Sequence, residues 1–258
     1  MNVVVGHPRS GTAFVSHLLN AGGGQHCRHE YLAGLSSMCV PIPTQYYAGE
    51  VGDEAVLSLL AHYEYSPTPW VTIDSNWKLA WILPVLLKRY PEAKVVHLCR
   101  EPSSNVLSCH NLDFYGSLHH CEEFRHRKFW LSWMPDVRRP DWDALTPFER
   151  NCAFWTETHR LVLDALASHE HRLRVRVEDL GTEETVGGLF RFFSLPVPPA
   201  RTMRAAVKTR VNERSDVKKQ VRARKDDVLP PVAQWPAHLR ACLAELCGDM
   251  AGNLGYGA

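Results

Sequence analysis

The feature that most constrains the fold stands at the start of the chain, where a short β-branched run meets a glycine-bounded loop. Val3, Val4 and Val5 are too few for a helix and predict a buried parallel strand. From Gly11 onward apolar residues recur at helical spacing, and this helix is predicted to end at the three glycines 22–24. Strand, glycine turn and helix together are the opening of a βα unit.

The same order of elements continues along the chain. The predicted strands are 70–73, 94–99 and 173–177, and the predicted helices are 79–89, 103–110, 151–166 and 186–193. This alternation predicts an α/β fold with a central parallel sheet flanked by helices. We expect a single domain over residues 1–258, with a helical C-terminal extension over 199–258.

One long segment, 113–148, does not follow the strand–helix alternation. It is rich in aromatic and histidine side chains with weak periodicity: Phe114, Tyr115, His119, His120, Phe124, His126, Phe129, Trp130, Trp133 and Trp142. A segment of this length between sheet elements is typical of a lid or a substrate-binding insertion. An equal alternative is a helical subdomain that packs these aromatics into its own small core.

The overall charge does not indicate a nucleic-acid partner. The chain carries 29 Lys and Arg against 28 Asp and Glu, a formal net charge of +1, and it contains no motif that reads RNA or DNA. The charge is uneven, because residues 201–225 contain ten Arg and Lys and two acids. We therefore expect no nucleic-acid partner, with this basic run as a local exception.

Hydropathy and cysteine usage indicate the compartment. The longest apolar stretch, 79–87, is interrupted by Pro84 and is far shorter than the ~20 residues of a membrane helix. No signal-peptide pattern precedes the first strand. The eight cysteines form no CxxC pair, which is typical of reduced thiols. We expect a cytoplasmic protein without a membrane partner.

The loop between the first strand and the first helix has the chemistry of an anion site. Its backbone N–H groups and the positive end of the helix dipole meet at one point, which suits a phosphate or a sulfate. Gly6 and Gly11 have the spacing of the nucleotide P-loop, but Thr12 and Ala13 follow where that loop has Lys and then Ser or Thr. Ala13 cannot bind magnesium through a hydroxyl, and the cation of the loop is instead Arg9.

This loop and a second motif together resemble the sulfotransferases that use 3′-phosphoadenosine 5′-phosphosulfate (PAPS). PRSGT after the first strand resembles the family's 5′-phosphosulfate loop. The matching residues are Arg9, Ser10, Gly11, Thr12 and Ala13. Arg100 at a strand end, then Pro102, then Ser108 eight positions after the arginine resemble the 3′-phosphate site. With RVRVEDL at 174–180 resembling a later strand, the likeness covers residues 2–196. It implies a three-layer architecture like that of the P-loop nucleoside triphosphatases, and a sulfotransferase that uses PAPS and no metal.

Departures from the better-known cytosolic branch of that family bear on the nucleotide site. Arg9 stands where that branch has Lys, as in many bacterial and Golgi relatives, and Val177 replaces the aromatic residue that packs on adenine. The branch's carboxy-terminal Arg-Lys-Gly stretch is missing. Candidate substitutes are four residues of the basic run, because PAPS carries several negative charges: Arg210, Arg214, Lys218 and Lys219. The alternative is a solvated helix face.

Candidate catalytic residues follow from the needs of sulfuryl transfer, which are a base for the acceptor proton and positive charge for the phosphate leaving group. Arg9 and the loop amides are expected to supply the charge. His-Glu-Tyr at 29–31 resembles the segment where several sulfotransferase branches place a catalytic Glu, so Glu30 is the expected base. His29 is the alternative, since imidazole titrates near neutrality. Lys78 or Ser75 is expected to hold the acceptor or the transferring sulfonate.

Other functions stay open at this point. A P-loop kinase or phosphotransferase would have the same fold, although Thr12 and Ala13 disfavour it, and a non-catalytic anion- or nucleotide-binding module would use the same loop. No metal is expected, because neither 26–29 nor 119–126 has a recognised ligand spacing. The acceptor is expected to be a small molecule or a carbohydrate, since both stack on aromatic side chains; its identity and the oligomeric state are not readable.

Overall fold

A parallel β-sheet organises the computed structural model, which describes residues 1–30, 42, 45–46, 49–64, 72–116, 141–209 and 227–257. The strands of these residues are β1 (Asn2–Gly6), β2 (Cys27–His29), β3 (Ile73–Ser75), β4 (Val95–Cys99) and β5 (Arg172–Arg176). All neighbouring strands pair in parallel, and their order across the sheet is β2-β3-β1-β4-β5.

Helices lie between these strands and after the last of them. They are α1 (Thr12–Leu19), α2 (Asp53–Glu64), α3 (Leu83–Arg89), α4 (Pro102–His110), α5 (Pro147–Leu166), α6 (Glu183–Phe192), α7 (Ala200–Lys208) and α8 (Ala237–Asn253). Short 3₁₀ segments occur at Trp77–Ile82, Trp142–Ala144, Val177–Gly181 and Val232–Gln234. The predicted α/β class, a parallel sheet flanked by helices, is confirmed. Within the described ranges no helix has the length and apolar character that a membrane crossing requires.

Residue contacts divide the chain into two compact units, one of Met1–Arg100 and Leu161–Glu213, the other of Glu101–Arg160 and Arg214–Ala258. The first unit contains the sheet. The expectation of one domain over 1–258 stays a prediction. Of the predicted C-terminal extension, α7 and α8 are helical, and 210–226 lie outside the described residues.

The two faces of the sheet are buried by different helices, because successive side chains of a strand alternate. Val4, with Val96 and Leu98 of β4, belongs to a core cluster that α1, α6 and α7 complete. Val3 and Val5 point the other way and are fully buried as well, where β1 contacts the segment 77–82. Burial on both faces explains why β1 and β4 are continuous apolar runs.

In the second unit, the described ends of the aromatic segment 113–148 contribute buried rings. Tyr115 packs edge-to-face on Trp142 at 5.1 Å and on Phe154 at 5.9 Å between ring centroids. Phe148 packs in the same manner on Trp235 at 5.3 Å. These contacts favour the interpretation that the segment's ends build a small core. Residues 117–140 lie outside the described part.

The structure corrects the predicted elements at three places. β2 was not predicted, because Cys-Arg-His carries no apolar run to mark an edge strand. The predicted helix 79–89 is a 3₁₀ turn followed by α3. The helix α4 begins at Pro102, one residue before its predicted start, and its cap is Glu101, whose carboxylate accepts from the N–H groups of Ser103 and Ser104.

Candidate functional site

The glycine loop after β1 is a tight, internally bonded turn. The Ser10 N–H and hydroxyl both donate to the carbonyl oxygen of His7, at 3.1 and 2.6 Å, and Ser10 is fully buried. Arg9 has φ 67°, a left-handed conformation that non-glycine residues seldom adopt. The loop therefore has one defined conformation, with Arg9 at its apex.

Gly6 and Gly11 are required by close approach of their neighbours. A Cβ at Gly6 would lie 2.2 Å from the backbone oxygen of Leu98. A Cβ at Gly11 would lie 2.7 Å from Cγ2 of Val177, and its φ of 95° also favours glycine. Val177, which stands where the resemblance places an adenine-packing aromatic, thus packs against the loop itself.

The amino terminus of α1 follows this loop and is available to an anion. The first N–H groups of a helix have no acceptor within the helix, and among the described residues no side chain caps α1. The hydroxyl of Ser75 donates to the carbonyl of Thr12 at 2.7 Å, which ties the first turn of α1 to β3. Ser75 is fully buried, so it fixes the loop and is not open to an acceptor.

Arg100 brings a second guanidinium to the loop. Its Nη1 donates to the carbonyl oxygen of Arg9 at 2.9 Å. Ser108, predicted to share the 3′-phosphate with Arg100, lies in α4, which belongs to the second unit. Arg210 and Arg214 lie outside the described residues.

Glu30 stands at the carboxyl end of β2 and is held by two donors. Lys78 Nζ donates to Oε2 at 2.9 Å and Trp77 Nε1 donates to Oε1 at 2.9 Å. The Glu30 N–H donates to the carbonyl of Ser75 at 3.2 Å, and its backbone has φ 50°. The structure thus brings Glu30 and Lys78, predicted separately, into one ion pair.

The electrostatics of Glu30 favour its carboxylate form. Burial by itself raises the pKa of this carboxyl, but attraction to Lys78 and the hydrogen bonds from Lys78 and Trp77 outweigh burial and hold the pKa below its usual value. With both oxygens engaged and the proton weakly bound, Glu30 is a weak proton acceptor and a strong anchor for positive charge.

His29 is arranged differently, with one ring nitrogen open. Nδ1 lies 2.9 Å from the carbonyl oxygen of Ser75; because a carbonyl only accepts, this hydrogen bond assigns the ring hydrogen to Nδ1. The lone pair of the neutral ring is then on Nε2, 3.8 Å from Oε1 of Glu30. No hydrogen bond to Nε2 occurs among the described residues, and the side chain is 34% exposed.

The role of Trp77 was not predicted, nor was the packing of Val177 on Gly11. Trp77 had one sequence signal, its place between a strand end and Lys78. Its partner Glu30 lies 47 positions away, so the sequence did not indicate that the two side chains meet. Cys27 of the histidine-rich segment is a protonated thiol, since burial raises its pKa to about 12. The segment 119–126 lies outside the described residues.

Comparisons with known proteins find a likeness among solved structures. No protein-family model matches the chain, and no curated protein matches it. A solved structure that it resembles is a sulfotransferase domain from the curacin biosynthetic pathway, with 14% identity, coverage of 97% of each chain and a TM-score of 0.49. The fold class follows from the strand order and core packing described above, independently of this likeness.

The carboxyl edge of the sheet therefore gathers two kinds of group. One is a candidate anion cradle made of the loop, the start of α1 and Arg100. The other is Glu30, Lys78 and His29 at the ends of β2 and β3. Ser75 joins them, since its hydroxyl bonds the loop and its carbonyl bonds His29. Such an edge is where ligands bind in open α/β sheets.

Proposed function

We propose that the chain is a PAPS-dependent sulfotransferase, which transfers a sulfuryl group to a hydroxyl or amine of a small-molecule or carbohydrate acceptor. The observation that carries the proposal is the contact of Arg100 with the carbonyl of Arg9, because two motifs 91 positions apart supply guanidinium groups to one anion loop. Ala13 supports it, since a magnesium nucleotide would need a hydroxyl there.

In this reaction the acceptor oxygen attacks sulfur as the bond from sulfur to the phosphate oxygen breaks, and 3′,5′-bisphosphoadenosine leaves. The N–H groups at the start of α1 and the Arg9 guanidinium stabilise the negative charge on the leaving phosphate. Lys78, which is 17% exposed and paired with Glu30, binds the sulfonate oxygens. The acceptor proton passes to His29 or Glu30.

Between these two bases, the contacts favour His29, although the sequence motif favoured Glu30. The Nε2 lone pair of His29 accepts the proton, and the Glu30 carboxylate 3.8 Å away stabilises the resulting imidazolium. Glu30 itself already accepts hydrogen bonds on both oxygens. We also propose a cytoplasmic location, which the thiols of Cys27 and Cys99, not joined in disulfides, support.

A thermal-shift comparison separates the proposed class from a kinase. The Tm of the purified chain should rise with 3′,5′-bisphosphoadenosine and not with ATP plus magnesium, because only a ligand of the folded state stabilises it. The opposite pattern would identify a nucleotide kinase. Stabilisation by the bisphosphate without turnover of PAPS on an acceptor panel would identify a binding module.

The Arg100→Ala variant tests the cradle itself. Removing the guanidinium should weaken bisphosphoadenosine binding by about 10- to 100-fold, the effect of one charge-assisted contact. Arg89→Ala is the matched control, since Arg89 lies at the end of α3 over the ring of Tyr90. Equal calorimetric affinities for wild type and Arg100→Ala would refute the cradle assignment.

A further inference from the structure

The first unit contains a cavity that the proposed reaction does not use. It has a volume of about 450 Å³ and lies between the end of α5 and the strands β4 and β5, lined by four apolar residues, two arginines and one histidine. Small-molecule sites in proteins generally measure about 300–1,000 Å³. At about 30 Å³ for each water molecule the space equals roughly 15 waters, so it can hold a ligand of about ten to fifteen non-hydrogen atoms.

Most of the cavity wall is uncharged. Its apolar residues are Leu163, Leu166, Ala167 and Leu173. His97 of β4, which also lines the cavity, is 2% exposed. Burial, with a smaller contribution from the positive charge of Arg174, lowers the pKa of this imidazole to about 3, so the ring is neutral at physiological pH. The wall therefore suits the apolar body of a ligand.

The charged part of the lining comes from β5. Arg172 and Arg174 are both exposed, and side chains two positions apart on a strand share one face of the sheet. His97 pairs in register with Arg174, so all three residues stand on the same face. Of the described residues that line the cavity, none is acidic. The exposed side of the cavity therefore carries positive charge, which an anionic head group would match.

Arg172 is held in place at the end of α5. Its Nη1 donates to the carbonyl oxygens of Leu166 and Ala167, the second at 2.7 Å. Both bonds come from one nitrogen of the guanidinium, and within the described ranges neither Nε nor Nη2 donates to another group. A guanidinium oriented in advance loses little freedom when it binds a carboxylate. Arg172 thus combines a fixed position with donors that a ligand can use.

We propose that this cavity binds an amphipathic carboxylate of the medium-chain fatty acid type, with its carboxylate on Arg172 and Arg174 and its chain along the apolar wall. An uncharged ligand would leave the arginines unused, and an inorganic anion would leave the wall in contact with water. The cavity lies along the first half of β5, whereas the glycine loop and Arg100 follow the carboxyl ends of β1 and β4. The two sites share no residue, so this proposal does not rest on the proposed sulfuryl transfer.

Calorimetric titration of the full chain without PAPS tests the ligand class. Decanoate, with about twelve non-hydrogen atoms, should bind saturably with a Kd of about 0.1–3 mM. Two probes separate the head group from the chain: acetate has the carboxylate alone, and decyltrimethylammonium has the same chain with the opposite charge. Each should bind at least about tenfold more weakly than decanoate, because each lacks one half of the match.

Variants locate the binding. Arg174→Ala and Arg172→Ala should each weaken decanoate binding by about 3- to 30-fold, since exposed charged contacts contribute less than buried ones. Arg201→Ala is the matched control, because Arg201 is exposed on α7 and does not line the cavity. Arg172→Ala also removes the bonds at the end of α5, so its Tm is measured first. Leu163→Trp, which fills the cavity and keeps both arginines, should abolish binding independently of that effect.

Three outcomes would overturn the proposal. Decanoate binding that is lost in Arg100→Ala and kept in Arg174→Ala would belong to the loop after β1. Equal affinities for decanoate and decyltrimethylammonium would show that the arginines select nothing. The absence of saturable decanoate binding would leave the two arginines with a structural role only, at the end of α5 and on a charged strand. Bisphosphoadenosine affinity should be unchanged in Arg174→Ala, which keeps this test separate from that of the proposed function.

Discussion

Arg9 and Glu30 hold left-handed backbone conformations, with φ 67° and 50°, at the two functional parts of the same sheet edge. Each costs about 1–3 kcal/mol relative to an ordinary conformation. At Glu30, the contacts with Lys78, Trp77 and the Ser75 carbonyl offset that cost. Arg9 carries the positive charge proposed to bind the phosphate, and Glu30 is the proposed anchor for Lys78. We therefore infer that these strained conformations are kept for the proposed function and not for stability.

The proton acceptor is tested by a pair of near-isosteric variants. In His29→Asn the side-chain amide can keep the bond to the Ser75 carbonyl but removes the Nε2 lone pair. The kcat should therefore fall by roughly 10²–10⁴, the contribution of a general base, with bisphosphoadenosine affinity nearly unchanged. Glu30→Gln should cost about tenfold, since it removes the charge beside His29. A His29→Asn enzyme with wild-type kcat and an inactive Glu30→Gln enzyme would assign the base to Glu30.

Glu30 also predicts a pH dependence of stability. Folding lowers the pKa of this carboxyl from an ordinary 4.5, so its ionised form stabilises the fold above that pH, and the stabilisation is lost as pH falls through the lowered value. In urea unfolding, wild type should exceed Glu30→Gln in midpoint at about pH 7.5, and the difference should shrink towards about pH 3. A difference that is constant with pH would contradict the ion pair with Lys78.

At the scale of elements, the hydrogen bond between β3 and the start of α1 predicts that two serine variants will lose similar stability but differ in ligand affinity. Ser75→Ala removes the hydroxyl bond to Thr12, and Ser16→Ala removes a comparable bond to the carbonyl of Cys27 at 3.3 Å. Each should cost about 1 kcal/mol of unfolding free energy. Only Ser75→Ala should weaken bisphosphoadenosine binding, by about 3- to 10-fold. Equal affinities in the two variants would mean that the Ser75 bond does not order the cradle.

The elements themselves divide into those that sequence predicts and those that it does not. The strand β4, found at Val95–Cys99, was predictable because burial on both faces demands an unbroken apolar run. The loop after β1 was predictable because its glycine spacing is local. The edge strand β2 carries one apolar residue, Cys27, and could not be recognised. The pairing of Glu30 with Trp77 and Lys78 was equally unreadable, since it depends on β2 lying beside β3.

At the scale of the whole molecule, a nearly neutral chain concentrates positive charge where the anion is proposed to bind. The net charge is +1, yet Arg9, Arg100 and Lys78 all stand at the carboxyl edge of the sheet. Local positive charge of this kind attracts anions to one site even when the net charge is near zero. We therefore assign the specificity for the proposed donor to this edge and not to the overall charge.

The residues at that edge predict that the proposed sulfuryl transfer needs no metal ion. Ala13 occupies the position where a hydroxyl would bind magnesium, and in the proposed reaction Arg9 and the N–H groups at the start of α1 stabilise the charge of the leaving phosphate. After dialysis against excess EDTA, the Tm with bisphosphoadenosine should equal that of the untreated protein within error. The kcat with PAPS should stay within about twofold of the untreated value. The control is the same protein returned to magnesium or zinc. Activity that is lost on chelation and restored by either ion would instead make a metal, rather than Arg9 and the N–H groups of α1, the stabiliser of the leaving group.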